Sequence, residues 1–287
     1  MSPDHAVVPL HVLGTDLDVR VTGEDPEELA RVLRERWHLA LRDGADTSSA
    51  PPTAGGPQPG APLVVEAGLV TPGGQPAPWD RAGTAVHDED LPRLLQRLTQ
   101  NITHAAIAAR TGELLLLHAA ALAHPRTGAT AAFVAPGNTG KTTLCRALGP
   151  GRAYVSDETV GIRRDGTITP YLKPLSTRRA DWAGTKDEQP PGSAGLAAPG
   201  VTPWIAGVVV LSRDPGHTGP PVVEELDLLD AVVALTPESS GFMGTRAPLR
   251  WLADVLGRTG GARRAVYAEA ASLEPLAAQI CARSNPW

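Results

Sequence analysis

The segment of the sequence that decides the fold is Ala135-Pro136-Gly137-Asn138-Thr139-Gly140-Lys141-Thr142. It follows an apolar run, Thr130–Ala135, that predicts a strand, and it precedes a short helix predicted over Thr143–Leu148. A Gly-Lys-Thr sequence at a strand-to-helix turn is typical of a phosphate-binding loop, because backbone amides and the positive end of the helix dipole point at the anion. The alternative is an ordinary strand–turn–helix connection that is rich in small residues.

Three residues of this loop have distinct expected roles. Gly140 lets the backbone approach a phosphate closely, Lys141 reaches the β- and γ-phosphates, and the hydroxyl of Thr142 ligates Mg²⁺. Only three of the 26 Lys and Arg residues are lysines, at positions 141, 173 and 186. Lysine is therefore an uncommon choice in this chain, and a flexible ammonium that reaches into a narrow cradle is a role that arginine fills poorly.

The start of the loop departs from the usual pattern. Ala135 replaces its first glycine, and Pro136 donates no N–H, so Gly137 is expected to supply the turn. The expected nucleotide contacts cover the rest of the loop, namely Gly137, Asn138, Thr139, Gly140, Lys141, Thr142 and Thr143.

A pair of acids, Asp157-Glu158, follows the next predicted strand, Ala153–Ser156. An acid at the end of that strand is placed to face the Mg²⁺ of a phosphate-binding loop. The sequence therefore predicts that Asp157 and Glu158 join Thr142 as metal ligands. A solvated pair of acids at a strand end is the alternative.

The composition excludes several classes of protein. With 42% hydrophobic and 20% charged residues, the 287 residues can bury the core of one large domain or two small ones. A net charge of −5 and the lack of a basic run argue against a nucleic-acid partner. Two cysteines are too few for a disulfide framework, and no Cys/His cluster has zinc spacing. Because the sequence shows neither a signal-peptide pattern nor an apolar stretch long enough for a bilayer, we expect a cytoplasmic protein without membrane contact.

The spacing of apolar residues predicts an α/β fold. In the first part of the chain, residues 7–22 predict two short strands, Asp25 begins a helix, and Asp88 opens a long helix that reaches about Arg110.

Further along the chain the periodicity becomes that of strands. Leu114–Leu117 and Ala119–Ala123 are predicted as successive strands with His118 after the first, and Ile205–Leu211 as a buried central strand. Residues 183–203 are rich in Gly and Pro and predict a mobile loop near a site.

These patterns divide the chain into four predicted segments. They are an N-terminal α/β segment (1–46), a flexible Pro/Gly-rich linker (47–62), a helical segment that packs on the core (63–113) and a nucleotide-binding core (114–287).

Three motifs together resemble one family. They are Leu116-Leu117-His118-Ala119-Ala120, Gly137-Asn138-Thr139-Gly140-Lys141-Thr142-Thr143 and Tyr154-Val155-Ser156-Asp157-Glu158-Thr159-Val160. They resemble HPr kinase/phosphorylase, and more closely the shorter HPr-kinase-like proteins, some of which accompany gene clusters for lasso peptides and related ribosomal peptides. The stretch Pro170-Tyr171-Leu172-Lys173-Pro174-Leu175-Ser176 is similar to another motif of those relatives. The first hundred residues do not resemble the N-terminal domain of the true HPr kinases.

The resemblance implies a P-loop core with a mixed sheet, like that of phosphoenolpyruvate carboxykinase. It also implies Mg²⁺-dependent transfer of a phosphoryl group from ATP, or from another nucleoside triphosphate, to a Ser or Thr hydroxyl of a peptide or small protein. His118 matches the family histidine near the phosphates, and Asp157 matches the first of the paired acids. Glu158 stands where those kinases usually have a second aspartate.

The division of labour between the two acids stays open. In one allocation Asp157 takes the hydroxyl proton and Glu158 holds Mg²⁺, and in the other the roles are exchanged; the first is preferred because Asp157 is the better match. Lys173, with Arg178 and Arg179 nearby, is expected to approach the transferred phosphoryl group or the substrate backbone. Charges that face solvent are the alternative for these three residues.

The sequence thus predicts an ATP- and Mg²⁺-dependent kinase, with Asp157, His118, Lys141 and Lys173 as catalytic residues. A precursor peptide of a ribosomal natural product is the suggested acceptor, on the basis of the resemblance and of a composition typical of a GC-rich genome. The alternatives are a P-loop kinase of a small hydroxylated metabolite and a non-catalytic nucleotide-binding adaptor. The oligomeric state, including a homo-oligomer, stays open.

Overall fold

The computed structural model describes residues 5–42, 61–70, 85–179 and 184–287 and shows a mixed α/β protein. In these ranges the helices are α1 (Pro26–Arg36), α2 (Leu91–Arg110), α3 (Lys141–Leu148), α4 (Leu228–Leu235), α5 (Pro248–Thr259) and α6 (Glu274–Cys281). The strands are β1 (Ala6–Val12), β2 (Thr15–Gly23), β3 (Leu63–Leu69), β4 (Ala85–Asp88), β5 (Leu115–Ala123), β6 (Ala129–Val134), β7 (Ala153–Ser156), β8 (Thr159–Ile162), β9 (Ile168–Thr169), β10 (Leu175–Arg178), β11 (Lys186–Gln189), β12 (Trp204–Arg213), β13 (Val222–Leu226), β14 (Ser239–Ser240) and β15 (Ala262–Tyr267). No helix among the described residues is long and apolar enough to cross a membrane.

The chain divides into two compact units. The first comprises Met1–Ala109 and Lys173–Pro190, and the second comprises Arg110–Leu172 and Pro191–Trp287. Lys173–Pro190 lies within the range 114–287 predicted for the core, but it groups with the first unit, where β10 and β11 form an antiparallel pair.

The first unit contains a four-stranded sheet in the order β1-β2-β3-β4. The two short strands predicted over residues 7–22 are β1 and β2, which pair antiparallel, and β3 and β4 extend the sheet in parallel. Leu17 and Val19 are buried at alternate positions of β2, which confirms the predicted period. The helix predicted to begin at Asp25 is also confirmed, because that carboxylate accepts the amide of Glu28 at the start of α1.

The start of α2 differs from the prediction. Asp88 does not open the helix; it is the last residue of β4, and α2 begins at Leu91. The buried Asp88 carboxylate accepts hydrogen bonds from the guanidinium groups of Arg93 and Arg97 and from the amide of Asp90. Its bond to Arg93 is the main cause of a pKa of Asp88 well below the usual range. An acid that binds the first turn in this way has the sequence pattern of a helix cap, although it ends a strand.

The second unit is built on a nine-stranded sheet. Its main order is β13-β15-β12-β6-β5-β8-β9, and β7 and β14 also pair with β5. β12 runs parallel to β6 and β15, whereas all the pairs that β5 makes are antiparallel. The buried central strand predicted over Ile205–Leu211 is confirmed as the middle of β12, against which α5 and α6 pack.

Two predictions of strands and loops in this part of the chain are wrong. Leu114–Leu117 and Ala119–Ala123 do not form successive strands, because a single strand, β5, continues through His118. Residues 184–203 are not a loop throughout, since they contain β11 and a turn of 3₁₀ helix at Pro191–Ala194.

The segment 63–113 is also not helical throughout, because β3 and β4 precede α2. The predicted linker, residues 47–62, lies outside the described residues except for its last two.

Candidate phosphate-binding site

Strand β5 places His118 beside the first residue of the predicted phosphate loop. Ala119 of β5 lies opposite Val134, the last residue of β6. The next residue along, Ala135, donates its amide to the carbonyl of His118 at 3.3 Å. The histidine is therefore fixed at the point where the chain leaves the sheet and enters the loop.

The other side of β5 brings the acid pair to the same level. Ser156 of β7 lies opposite Ala121, and Thr159 of β8 lies opposite His118. The pairing is interrupted between these two positions, and Asp157-Glu158 occupies the interruption. The loop, the histidine and the acids thus meet at β5, although they come from separate parts of the sequence.

The loop backbone has the form of an anion cradle. Asn138 and Gly140 adopt left-handed conformations, with φ of 65° and 99°, and no side chain caps the N-terminus of α3 at Gly140. Within the described residues, the backbone amides of residues 137–140, 142 and 143 donate to no protein acceptor. Unpartnered amides at a helix N-terminus bind anions well, so this backbone fits the predicted phosphate.

Lys141 lies at the base of the loop. Its side chain is largely buried, and Nζ donates to the carbonyl oxygens of Ala135 (2.7 Å) and Pro136 (3.0 Å). Pro136 supplies no amide to the cradle, but its carbonyl helps to hold the ammonium. The replacement of the usual first residues of the loop by Ala135-Pro136 therefore does not remove Lys141 from the base of the loop.

Asp157 has a hydrogen-bond donor on each carboxylate oxygen. Thr142, in the first turn of α3, donates its hydroxyl to Oδ2 at 2.7 Å, and Tyr154 donates its phenol to Oδ1 at 3.0 Å. Burial, together with the nearby Asp157 carboxylate, raises the pKa of Tyr154 well above its usual value. The phenol therefore stays protonated, and it orients the carboxylate as a donor.

Ser156 fixes the turn that carries the acids. Its hydroxyl oxygen accepts the amides of Glu158 and Thr159, both at 3.0 Å. The turn presents the Asp157 carboxylate to the Thr142 hydroxyl, and such oxygen donors suit Mg²⁺ when phosphate and water complete its shell. Among the described residues no group of three or more His, Cys, Asp or Glu could hold a metal. A metal at this site would therefore depend on the phosphates of the nucleotide.

Glu238 is a site residue that the sequence analysis missed. Its carboxylate Oε2 lies 3.0 Å from Nδ1 of His118, and its carbonyl accepts the His118 amide at 2.7 Å. The two residues are 120 positions apart, and no motif or periodicity marks Glu238. Tyr154 lies within one of the sequence motifs, but nothing in the sequence predicts that its phenol bonds to Asp157.

Lys173 belongs to the first unit, where its ammonium is almost fully buried. Nζ donates to the carbonyl of Pro174 (2.8 Å) and to Oγ of Ser176 (3.2 Å), and Ser176 in turn donates to Glu188 (2.8 Å). Arg179 lies 3.8 Å from Asp187 on β11. Lys173 thus does not face solvent, and its approach to the phosphoryl group stays a prediction.

No protein-family model matches the chain, and a search of curated proteins found no match. The function is therefore inferred from the geometry of the loop, the acid pair and His118, together with the resemblance of the sequence motifs.

Proposed function

We propose that this protein is an ATP- and Mg²⁺-dependent kinase of the HPr-kinase-like group that phosphorylates a Ser or Thr hydroxyl of a peptide or small protein. The observation that carries the proposal is the 2.7 Å hydrogen bond between Thr142 and Asp157. A hydroxyl in the first helical turn after a phosphate loop, next to an acid that follows a neighbouring strand, is the arrangement with which P-loop proteins hold Mg²⁺. The resemblance supports the acceptor class, with a ribosomal natural-product precursor as the suggested peptide.

The loop would bind the phosphates mainly through its backbone. The amides of residues 137–140, 142 and 143 have no protein acceptor in the described structure, and the N-terminus of α3 adds positive potential. Lys141 would exchange two neutral carbonyl acceptors for charged phosphate oxygens, which form stronger hydrogen bonds with an ammonium. When bound, Mg²⁺ offsets the charge on the phosphate oxygens.

The acceptor hydroxyl needs a group that takes its proton, and the geometry bears on which acid does so. The contact with Thr142 supports Asp157 as the metal ligand and Glu158 as the base, whereas the family match supports the reverse. A Mg²⁺ titration of Asp157→Asn and Glu158→Gln separates the two allocations. The variant of the metal ligand should need more Mg²⁺ and recover much of its rate, and the variant of the base should stay slow at saturating Mg²⁺.

The proposal is tested by transfer of the γ-phosphoryl group from ATP to Ser- and Thr-bearing peptides, with free serine and sugars as competing acceptors. We expect phosphopeptide formation, and a loss of roughly 100-fold or more in Lys141→Ala because one charged contact to the transferred group is removed. Lys186→Ala is the matched control, since Lys186 lies on β11 of the first unit. Transfer only to a free metabolite would support a metabolite kinase, and tight ATP binding without any acceptor would support an adaptor.

A further inference from the structure

Helix α4 carries apolar side chains around its whole circumference. Ala231 and Leu235 are buried, whereas Leu229 and Val233, on the opposite side, are 72% and 64% exposed. Asp230 is the only polar residue of the helix. A helix that is apolar on all sides is normally buried on all sides. The outer side of α4 therefore has the properties of a surface that a partner covers.

The preceding strand extends this surface. In the described part of the chain β13 is an edge strand that pairs only with β15, and Val222 and Val223 are 55% and 42% exposed. One residue, Asp227, separates β13 from α4, and the two elements contact each other. Val222 lies on the same side of β13 as Leu226, which packs with the buried residues of α4, whereas Val223 lies on the opposite side. The exposed aliphatic side chains on the α4 side form what we term the α4–β13 face: Val222, Leu228, Leu229 and Val233.

The segment that carries this face is acidic. Residues 214–245 contain no lysine or arginine. Glu224 is paired with Arg264 of β15 at 2.8 Å, and Glu225 lies opposite Arg263 on the other side of the strand. Asp227 and Asp230, at the start of α4, are exposed, and neither forms an ion pair with another described residue. Aliphatic side chains beside uncompensated carboxylates complement a segment that carries both cations and aliphatic side chains.

The face is joined to the phosphate site by a short connection. Only Thr236 and Pro237 lie between the end of α4 and Glu238, whose carboxylate contacts His118. We infer that the α4–β13 face docks a lysine- or arginine-bearing, aliphatic segment of the polypeptide substrate, an inference that rests on the proposed function. Docking of this kind raises the effective concentration of the acceptor hydroxyl at the site.

A second copy of the chain fits the face less well than a cationic segment does. In the centred antiparallel pairing of two β13 strands, Glu224 would lie opposite Glu224 and Val223 opposite Glu225. Like charges directly opposite each other destabilise a strand pair, and a second copy of the face brings no cation to Asp227 or Asp230.

Peptide binding without nucleotide tests the docking surface directly. The probe is a fluorescent synthetic peptide in which lysine alternates with leucine, followed by a glycine spacer and one serine. Binding is measured as fluorescence anisotropy. We expect Leu229→Ser with Val233→Ser to weaken binding by roughly 10- to 100-fold, because two aliphatic contacts are lost. Val64→Ser is the matched control: it is an exposed valine of the first unit, on β3, and should leave binding unchanged.

The charge of the face is tested separately. Asp227→Asn with Asp230→Asn should weaken binding by about 3- to 10-fold and reduce its dependence on salt, and asparagine at position 227 keeps an acceptor for the start of α4. A probe with glutamate in place of lysine should bind far more weakly. Equal binding of the acidic and basic probes would overturn the inference.

Kinetics separate a failure of docking from a failure of the proposed function. With ATP and the same peptide, the Leu229→Ser/Val233→Ser variant should raise the KM for peptide and keep kcat, because docking is uniform binding. Peptide binding without phosphoryl transfer would support the docking surface and overturn the proposed kinase activity. Phosphoryl transfer with an unchanged KM for peptide would support the kinase activity and overturn the docking surface.

Sedimentation velocity addresses the second copy. The inference expects a monomer–dimer balance that is the same in the wild type and in Leu229→Ser/Val233→Ser. A dimer that this variant abolishes, together with no binding of the basic probe, would assign the face to self-association and overturn the inference.

Discussion

The side chains of the phosphate site are buried and hydrogen-bonded, whereas those of the α4–β13 face are exposed and apolar. At the site Asp157 has two donors, Lys141 has two carbonyl acceptors, and both residues are less than 10% exposed. On the face Leu229 and Val233 point away from the core and contribute little to it. A polar group that is satisfied inside the fold is coupled to stability, whereas an exposed aliphatic side chain is coupled only to what binds it. Substitutions in the two regions should therefore separate stability from binding.

The largest effect on stability should follow Tyr154→Phe. The change removes the buried donor to Asp157 Oδ1, which should cost about 1–3 kcal/mol in the free energy of unfolding. It should also raise the Mg²⁺ requirement for transfer by roughly 10-fold, because the carboxylate loses its orientation. Urea unfolding and a Mg²⁺ titration measure the two effects. Tyr267→Phe, at another buried tyrosine of the second unit, should leave the Mg²⁺ requirement unchanged.

A satisfied carboxylate with no predicted catalytic role sharpens the same comparison. Asp88 has a lowered pKa in the folded chain, so its contribution to stability is present above its ordinary pKa of about 4 and is lost as the pH falls below that value. Asp88→Asn should therefore lower the free energy of unfolding at pH 7, and the difference from the wild type should shrink below about pH 4. Denaturant unfolding at several pH values measures this, with Glu27→Gln, at an exposed acid of α1, as the control. An unchanged difference at acid pH would contradict the assigned cause.

A smaller effect is expected at the site residue that only the tertiary structure revealed. Glu238→Gln keeps the size of the side chain but removes the negative charge beside His118. We expect kcat to fall by about 3- to 10-fold with little change in the KM for ATP, because the histidine loses an orienting partner. Glu269→Gln, at an exposed acid of the second unit, is the control with the same chemical change. A KM effect without a kcat effect would place Glu238 in nucleotide binding instead.

The smallest effect on stability should come from the face. Leu229→Ser with Val233→Ser removes side chains that are already largely in solvent, so the free energy of unfolding should change by less than about 0.5 kcal/mol. Thermal unfolding of the two proteins side by side measures this. A decrease of more than about 1 kcal/mol in the free energy of unfolding would contradict this contrast between the site and the face, because the face would then be part of the folded core.

Elements with a local pattern were well predicted. The two strands over residues 7–22, the helix that starts at Asp25 and the central strand at Ile205–Leu211 all follow from short-range periodicity or capping. The break predicted near His118 and the helix start at Asp88 were wrong for one reason. A side chain that binds a distant or following segment has the same sequence pattern as one that ends an element.

The sequence by itself determined the α/β class and the local chemistry of the loop, because a Gly-Lys-Thr turn and its amides lie within a few residues of one another. It did not determine that Asp157 is held between Thr142 and Tyr154, that Glu238 reaches His118, or that Lys173 groups with the first unit. Those contacts depend on the register of β5 with its neighbours and on the way the chain divides into units. Both are set by the packing of the whole chain rather than by any short stretch of it.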